Sequence, residues 1–504
     1  MLKQPYITLT EKLQNLIMHK KLLISIFIGL VIWILSANLW AQPDTLWTKT
    51  YGGTGSDRGE SVCQTTDGDY IIAGSTRSFG AGGSDVWLIK TDANGDTLWT
   101  RTFGGTDTDR GFSVCKSTND GYAIAGYTSS YGAGGNDVYL IKTDANGDTL
   151  WTKTFGGTGS DRSLSVCKTT DDGYIIAGYT NSYGAGGNDV YLVRTDANGD
   201  TLWTKTYGGT DNDWGRSVCQ TTDGGYVITG ETLSYGIGLY DVYLIKTDCN
   251  GDTLWTKTYG GTGNDYGFSV CQTIDEDYLI VGYTSSFGKS LGDVYLIKTD
   301  SNGNTYWQET YGGYYTDCGY SIFEIVGGGY VIAGETWSFG AGQGDVYLIK
   351  TDIAGCIIWT KTIGGITSDH GYSIRQTTDE GFIIAGYTDS FGAGGNDVYL
   401  IKTDMDPVGI DNHEDTLSNL QYIQNYPNPF KNHTAISYTL KKPRNIIMRI
   451  YNVKGKLVQE IFKGNKDTGT HTIEWDAKDM TPGIYFYKLT ADKKEIVKKM
   501  VLMR

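Results

Sequence analysis

The stretch Asp44-Thr-Leu-Trp-Thr-Lys-Thr50 returns at Asp96, Asp148, Asp200 and Asp252, and in altered form at Asn304 and Cys356. Seven copies of one 52-residue unit therefore fill the chain from Asp44 to Asp404. A unit repeated at a fixed period is one supersecondary element that buries its apolar faces only against its neighbours, so the period decides the architecture.

Inside the first unit, Ser61-Val-Cys-Gln64, Tyr70-Ile-Ile-Ala73, Asp85-Val-Trp-Leu-Ile-Lys90 and Asp96-Thr-Leu-Trp-Thr-Arg101 are short β-branched or aromatic runs between Gly/Asp/Asn turns. They read as four strands. Thr66-Asp-Gly-Asp69 and Asp92-Ala-Asn-Gly-Asp96 are tight hairpin connections, with Asn94-Gly95 suited to the positive φ angles of a primed turn. Four antiparallel strands in each of seven repeats predict a seven-bladed β-propeller, an all-β fold. Runs such as Val138-Tyr-Leu-Ile141 are apolar on both faces, as a blade clamped between two others requires. The body opens with the Asp44–Thr50 strand and its last copy ends at Asp397-Val-Tyr-Leu-Ile-Lys-Thr-Asp404, so the first strand is expected to complete the last blade and cover its edge.

The chain of 504 residues separates into a leader, this body and a tail. Its seven prolines avoid residues 44–406, where paired strands use their N–H groups. From Leu417 onward there are sixteen Lys/Arg against seven Asp/Glu, leaving 26 against 50 in the remainder. An acidic body without basic stripes argues against a nucleic-acid partner, because Lys/Arg neutralisation of phosphate supplies most of that affinity. Lys20-Lys21, the apolar run Leu22–Leu35 and Ala41 before Gln42-Pro43 read as a signal peptide over residues 1–41, the first 17 being an extended leader or an early start before Met18. Fourteen apolar residues suit such a leader better than a bilayer span, so no transmembrane anchor is expected in the mature chain; an uncleaved anchor is the rival reading.

Cys63, Cys115, Cys167, Cys219 and Cys271 occupy one position in successive repeats, where Phe323 and Arg375 stand in the last two. Equivalent positions in neighbouring repeats should lie beyond the roughly 7 Å that a disulfide spans, so these read as small buried residues of an inner strand with thiols shielded by packing. A pair among Cys249, Cys318 and Cys356 stays open.

Trp47, Trp99, Trp151, Trp203, Trp255, Trp307 and Trp359 recur once per unit. Over these few residues per blade the pattern resembles the tryptophan-docking arrangement of quinoprotein-type propellers, which implies an indole packed between blades. Three aspartate series also recur, Asp57 to Asp369, Asp85 to Asp397 and Asp92 to Asp404. Sevenfold carboxylates are candidate calcium ligands, but Asp92-Ala-Asn-Gly-Asp96 lacks the further glycine and distal acid of a complete calcium loop. Loop hydrogen bonding is the favoured role, and no cofactor is expected apart from this calcium alternative.

The two longer loops of each blade, Tyr51–Gly59 and Ser75–Ser84 in the first, are expected on one end of the ring. That face carries Phe79, Tyr131, Tyr183, Tyr235, Phe287, Phe339 and Phe391, candidate binding residues whose rings would stack on sugars with avidity from seven copies. The competing role is to plug each loop onto its blade. No catalytic group is expected: the mature propeller has one histidine, His370, which excludes a multi-histidine metal centre and disfavours a Ser-His-Asp set. Departures from the repeat gather in copies four to six at Glu231, Tyr240, Lys289, Tyr314, Tyr315, Glu324, Glu335 and Trp337. Glu231 and Glu335 are a conceivable carboxylate pair for glycoside hydrolysis, against which stands simple drift of the repeat.

After the linker 405–423 the text changes to Asn425-Tyr-Pro-Asn-Pro-Phe430, Thr434–Leu440, Met448–Gly455, Gly469-Thr-His471, Trp475, Pro482-Gly-Ile-Tyr-Phe-Tyr-Lys-Leu489 and Lys498–Leu502. These are six or seven short alternating strands, with turns at Lys454-Gly455 and Pro482-Gly483, that suit an Ig-like sandwich. In order and spacing, residues 424–504 resemble the type A C-terminal sorting domain of the type IX secretion system of Bacteroidota. The resemblance implies export across the inner membrane by the signal peptide, then outer-membrane translocation by the secretion machinery as partner. In that family the tail is often removed and the cargo joined to surface lipopolysaccharide; the sequence leaves both open here. The repeats also look like those of uncharacterised secreted proteins sharing this tail. The expected product is a secreted or surface-attached, non-catalytic scaffold or adhesin, multivalent for glycans or matrix polymers. A polysaccharide hydrolase on the loop face of blades 4–6 and a coat component are the alternatives.

Overall fold

The computed structural model describes residues 42–288, 291–325, 328–404, 420–428, 430–440, 443–452, 456–491 and 494–503. The signal peptide, the linker 405–419, Lys289 and the Lys454-Gly455 turn lie outside the described residues. The chain forms two compact units.

The first unit is a propeller of seven four-stranded antiparallel sheets. The first blade runs from an inner strand Arg58–Gln64 through Tyr70–Thr76 and Asp85–Thr91 to an outer strand Thr97–Phe103. The third strand of every blade reads Asp-Val-aromatic-Leu and is buried on both faces, because each face meets a neighbouring blade. One such interface unites Ile71, Ala73, Val86 and Leu88 with Val114, Ile124, Tyr139 and Ile141 of the next blade, all at most 5% exposed. Each fully buried aliphatic side chain in this layer contributes about 1.5–3 kcal/mol.

The ring closes as the phase of the repeat predicts. Thr45–Tyr51 pairs antiparallel with Asp397–Thr403, placing Trp47 opposite Lys402 and Tyr51 opposite Val398. Val62, Ile72 and Ile89 of the first blade share a core with Ile383, Val398 and Leu400 of the seventh. A serine of six of the inner strands also accepts a backbone N–H from the next blade: Val114 N donates to Ser61 Oγ at 3.3 Å, and Val62 N donates to Ser373 Oγ at 3.2 Å across the closure.

All seven tryptophans lie on outer strands and pack across a blade interface, their rings 5.9–6.4 Å from Tyr70, Tyr122, Tyr174, Tyr226, Tyr278, Tyr330 and Phe382. The Asn94-Gly95 connection differs from a primed turn. Only Gly95 has positive φ, at 79°. Asp92 N donates to Asp96 O at 2.9 Å and Gly95 N to Asp92 O at 3.1 Å, closing a longer loop in which one left-handed glycine precedes a bulge at Leu98.

The second unit packs a three-stranded sheet, Leu420–Tyr426, His433–Leu440 and Gly469–Asp476, with a four-stranded sheet of Leu457–Lys466, Arg444–Asn452, Gly483–Ala491 and Lys494–Leu502. Phe430, Tyr438, Met448, Trp475, Tyr487 and Leu489 fill the space between them. This is the two-sheet sandwich expected from the alternating strands.

Candidate functional site

The two long loops of each blade meet at one end of the ring and latch neighbours together. Asp109 N donates to Ser84 O at 2.7 Å, and Asp57 N to Asn396 O at 2.6 Å. The Asp57 series organises this face. Asp57 is fully buried, and its carboxylate accepts from Gly53 N at 2.9 Å, Arg77 N at 3.1 Å, and the hydroxyls of Thr76 and Ser78. Asp137 in the second series accepts from Ala133 N at 2.9 Å and Gly134 N at 3.2 Å, while burial raises its pKa. Asp92 in the third accepts from Asn94 N and Asp96 N at 2.9 and 2.8 Å. These carboxylates shape loops by binding amides, the role favoured from sequence. The Gly-Gly of each connection makes room for two of them: a Cβ on Gly104 would stand 2.4 Å from Asp85 Oδ1 and 2.5 Å from Asp109 Oδ2. Among the described residues, no three His, Cys, Asp or Glu side chains converge in a set that could hold a metal ion.

The seven candidate aromatics are aimed by the same latch. Thr76 Oγ1 accepts from Ser78 N and Phe79 N, turning the chain so that Phe79 lies 5.3 Å from Trp87. Tyr131, Tyr183, Tyr235, Phe287, Phe339 and Phe391 lie 5.7–5.9 Å from the matching third-strand tyrosines. Tyr131 Oη also donates to Gly104 O at 2.8 Å. Each ring therefore plugs its loop with one face and leaves the other in solvent: Phe79 is 47% exposed and Tyr131 48%.

Around the axis, a bulge in each inner strand presents Glu60, Phe112, Leu164, Arg216, Phe268, Tyr320 or Tyr372. Neighbours in this series touch, as in Phe268–Tyr320 at 5.2 Å and Tyr320–Tyr372 at 5.0 Å. Unlike chemistry thus gathers where the repeat is most divergent. Glu335 accepts from Tyr320 Oη at 2.8 Å and pairs with His370 Nδ1, and the His370 ring stacks on Tyr387 at 4.4 Å. Burial, then Glu335, pushes the neighbouring Cys318 thiol well above its usual range. Glu231 has a separate partner, Arg216 Nε, 3.0 Å from both of its oxygens. Burial raises the Glu231 carboxyl and Arg216 pulls it back. Glu231 and Glu335 thus serve different inner-strand groups two blades apart.

The repeated cysteines are half-buried rather than buried, because each packs only in part against the core it shares with the next blade. Burial raises Cys63 to about 11. Arg375, at the same position, is exposed, and its charge reaches Cys63, Cys167 and Cys271 in blades on both sides of it.

The chain resembles known proteins in part. It is 28% identical over 241 residues to the regulatory protein FlaEY of Caulobacter vibrioides, covering 41% of this chain and 24% of that protein. It is 21% identical over 311 residues to an uncharacterized WD repeat-containing protein of Acanthamoeba polyphaga mimivirus, covering 59% of this chain and 19% of that protein. The alignments span about a quarter and a fifth of those relatives. Among solved structures, a fungal alcohol oxidase in complex with copper superposes with a TM-score of 0.45 at 12% identity, over 92% of this chain and all of that one. PorZ, a surface component of the type IX secretion system of Porphyromonas gingivalis, gives 0.41 at 12% identity, over 90% of this chain and 60% of that one. No helix among the described residues is long and apolar enough to cross a membrane. Residues 424–503 match the secretion system C-terminal sorting domain, and this tail marks the propeller as a secreted, surface-attached protein.

Proposed function

We propose that the propeller is a non-catalytic, multivalent binding scaffold whose loop face engages glycans or matrix polymers outside the cell. The observation that carries this reading is the set of seven rings, Phe79 to Phe391, each rigidly seated yet 38–48% exposed beside glycines on one face. Such rings offer stacking surface at little entropic cost, and seven weak contacts to one polymer sum to useful avidity. The test is polysaccharide retention by the full chain. Replacing Phe79, Tyr131 and Tyr183 together by alanine should weaken retention at least tenfold; failure of the wild type to retain any polysaccharide would overturn the reading.

A second reading, a polysaccharide hydrolase, is supported by the Glu335–His370–Tyr320 group, which gathers unlike titratable residues at one blade junction. Loss of reducing-end release in Glu335→Gln would favour it. Absence of turnover by the wild type on a polysaccharide panel would remove it.

A further inference from the structure

One blade breaks the rule that the others follow on the loop face. The second-strand position held by Tyr127, Tyr179, Glu231, Tyr283, Glu335 and Tyr387 is Ser75 in the first blade. At four of these six positions the inner strand of the next blade covers the residue. Arg162 lies 4.3 Å over the Tyr127 ring, Trp214 stacks on Tyr179 at 5.0 Å, His370 pairs with Glu335, and Arg58 lies 4.6 Å over Tyr387. Arg110 is the residue due over position 75. It meets a serine there, and its buried Nε has no hydrogen-bond partner.

The missing ring leaves a cavity of about 100 Å³ lined by Ser56, Arg58, Ser75, Arg77, Ser84 and Arg110. At about 10–15 Å³ per water, that is room for several waters or one tetrahedral anion. Ser75 and Ser84 are 6% and 2% exposed, so their hydroxyls form a fixed floor. Arg58 is held between Tyr387 and Asn396, whose side-chain oxygen it reaches at 3.0 Å when the Asn396 amide donates to Asp389. Among the described residues, none of the three arginines forms an ion pair with a carboxylate. Three guanidinium groups around hydroxyls, none ion-paired although Glu60 acts on two of them, match an oxyanion on a body that is otherwise acidic: planar donor forks bind such groups in bidentate fashion, and the cavity has room for a tetrahedral one.

We propose that this cavity is an oxyanion pocket that takes a sulfate ester of a polysaccharide lying on the loop face, beside the ring of Phe79. The pocket deepens the scaffold reading by naming an acidic polymer, and it rests on that reading only for the polymer. The full chain is titrated at low salt with dextran sulfate, neutral dextran and sodium sulfate, in parallel with Arg110→Gln and Ser75→Tyr. Ser75→Tyr refills the slot with the residue of four other blades, so it should keep or raise the melting temperature while closing the cavity.

Dextran sulfate binding that weakens at least tenfold in both variants, with no binding of dextran, is the expected result. A polymer that binds at least tenfold tighter than the free ion assigns the pocket to an esterified sugar; equal affinity assigns it to a free anion and withdraws the polymer. Undiminished binding in a folded Ser75→Tyr chain, or no binding by the wild type, overturns the proposal. The two readings fail separately, since the alanine changes at Phe79, Tyr131 and Tyr183 test retention of neutral glycans and leave the arginines in place.

Discussion

Glu60 shows how a single departure from the repeat acquires a function-like environment. Phe112, Leu164 and Phe268 hold the same bulged position, so the carboxyl enters a setting built for apolar groups. Burial raises it from the usual 4.5 to about 7, while Arg58, Arg110 and His370 pull the other way, and Tyr372 faces it from the last blade. Between these two values the folded chain holds a proton that the unfolded chain has released, so stability falls as pH rises through this window and the penalty is complete above it. Glu60→Gln should raise the melting temperature at pH 8 by a shift on the order of a few degrees and leave it unchanged near pH 4, as thermal melts would show. The same change should strengthen dextran sulfate binding at pH 8, because it removes a carboxylate that interacts with Arg58 and Arg110. Thiol chemistry is likewise set residue by residue. Cys249 and Cys356 are exposed, whereas burial raises Cys63, Cys115, Cys167, Cys219, Cys271 and Cys318 above the ordinary thiol range. Iodoacetamide at pH 8 should label the first two quickly and the other six slowly until the chain unfolds, a ratio that mass spectrometry of timed samples would read.

At the scale of the element, the strand Thr45–Tyr51 closes the last blade and brings Trp47 onto Tyr70 of the first. Removing residues 44–53 exposes the edge of Asp397–Thr403 and deletes one of seven indole contacts. The melting temperature should fall and light scattering on heating should rise; an unchanged melt would mean that the clasp carries no stability. The hairpin at Asp92–Asp96 shows how local sequence and observed geometry part company. Asn94-Gly95 announced a two-residue primed turn, yet Asp92 Oδ1 binds the amides of Asn94 and Asp96 and stabilises a longer loop in which the glycine alone is left-handed. A side chain that competes for backbone amides selected the turn type.

For the whole molecule, blade count, strand order, closure, the loop-rich face and the sorting tail could be read from the chain alone. The reason is physical: a 52-residue period with Trp47 and its six counterparts in constant phase admits only units that bury their faces against copies of themselves, and the tail carries its own ordered motifs. The tertiary structure decided which departures from the repeat meet. Ser75 and Arg110 are 35 positions apart, an offset that is no multiple of the repeat, and become neighbours only because an inner strand of one blade crosses the second strand of the blade before it. The same crossing joins Glu335 to His370, whereas Glu231 meets Arg216 of its own blade. Periodic sequence determines what each blade shares with its neighbours, whereas the chemistry of a site depends on unlike residues brought within contact distance, and that distance is set by how the sheets pack.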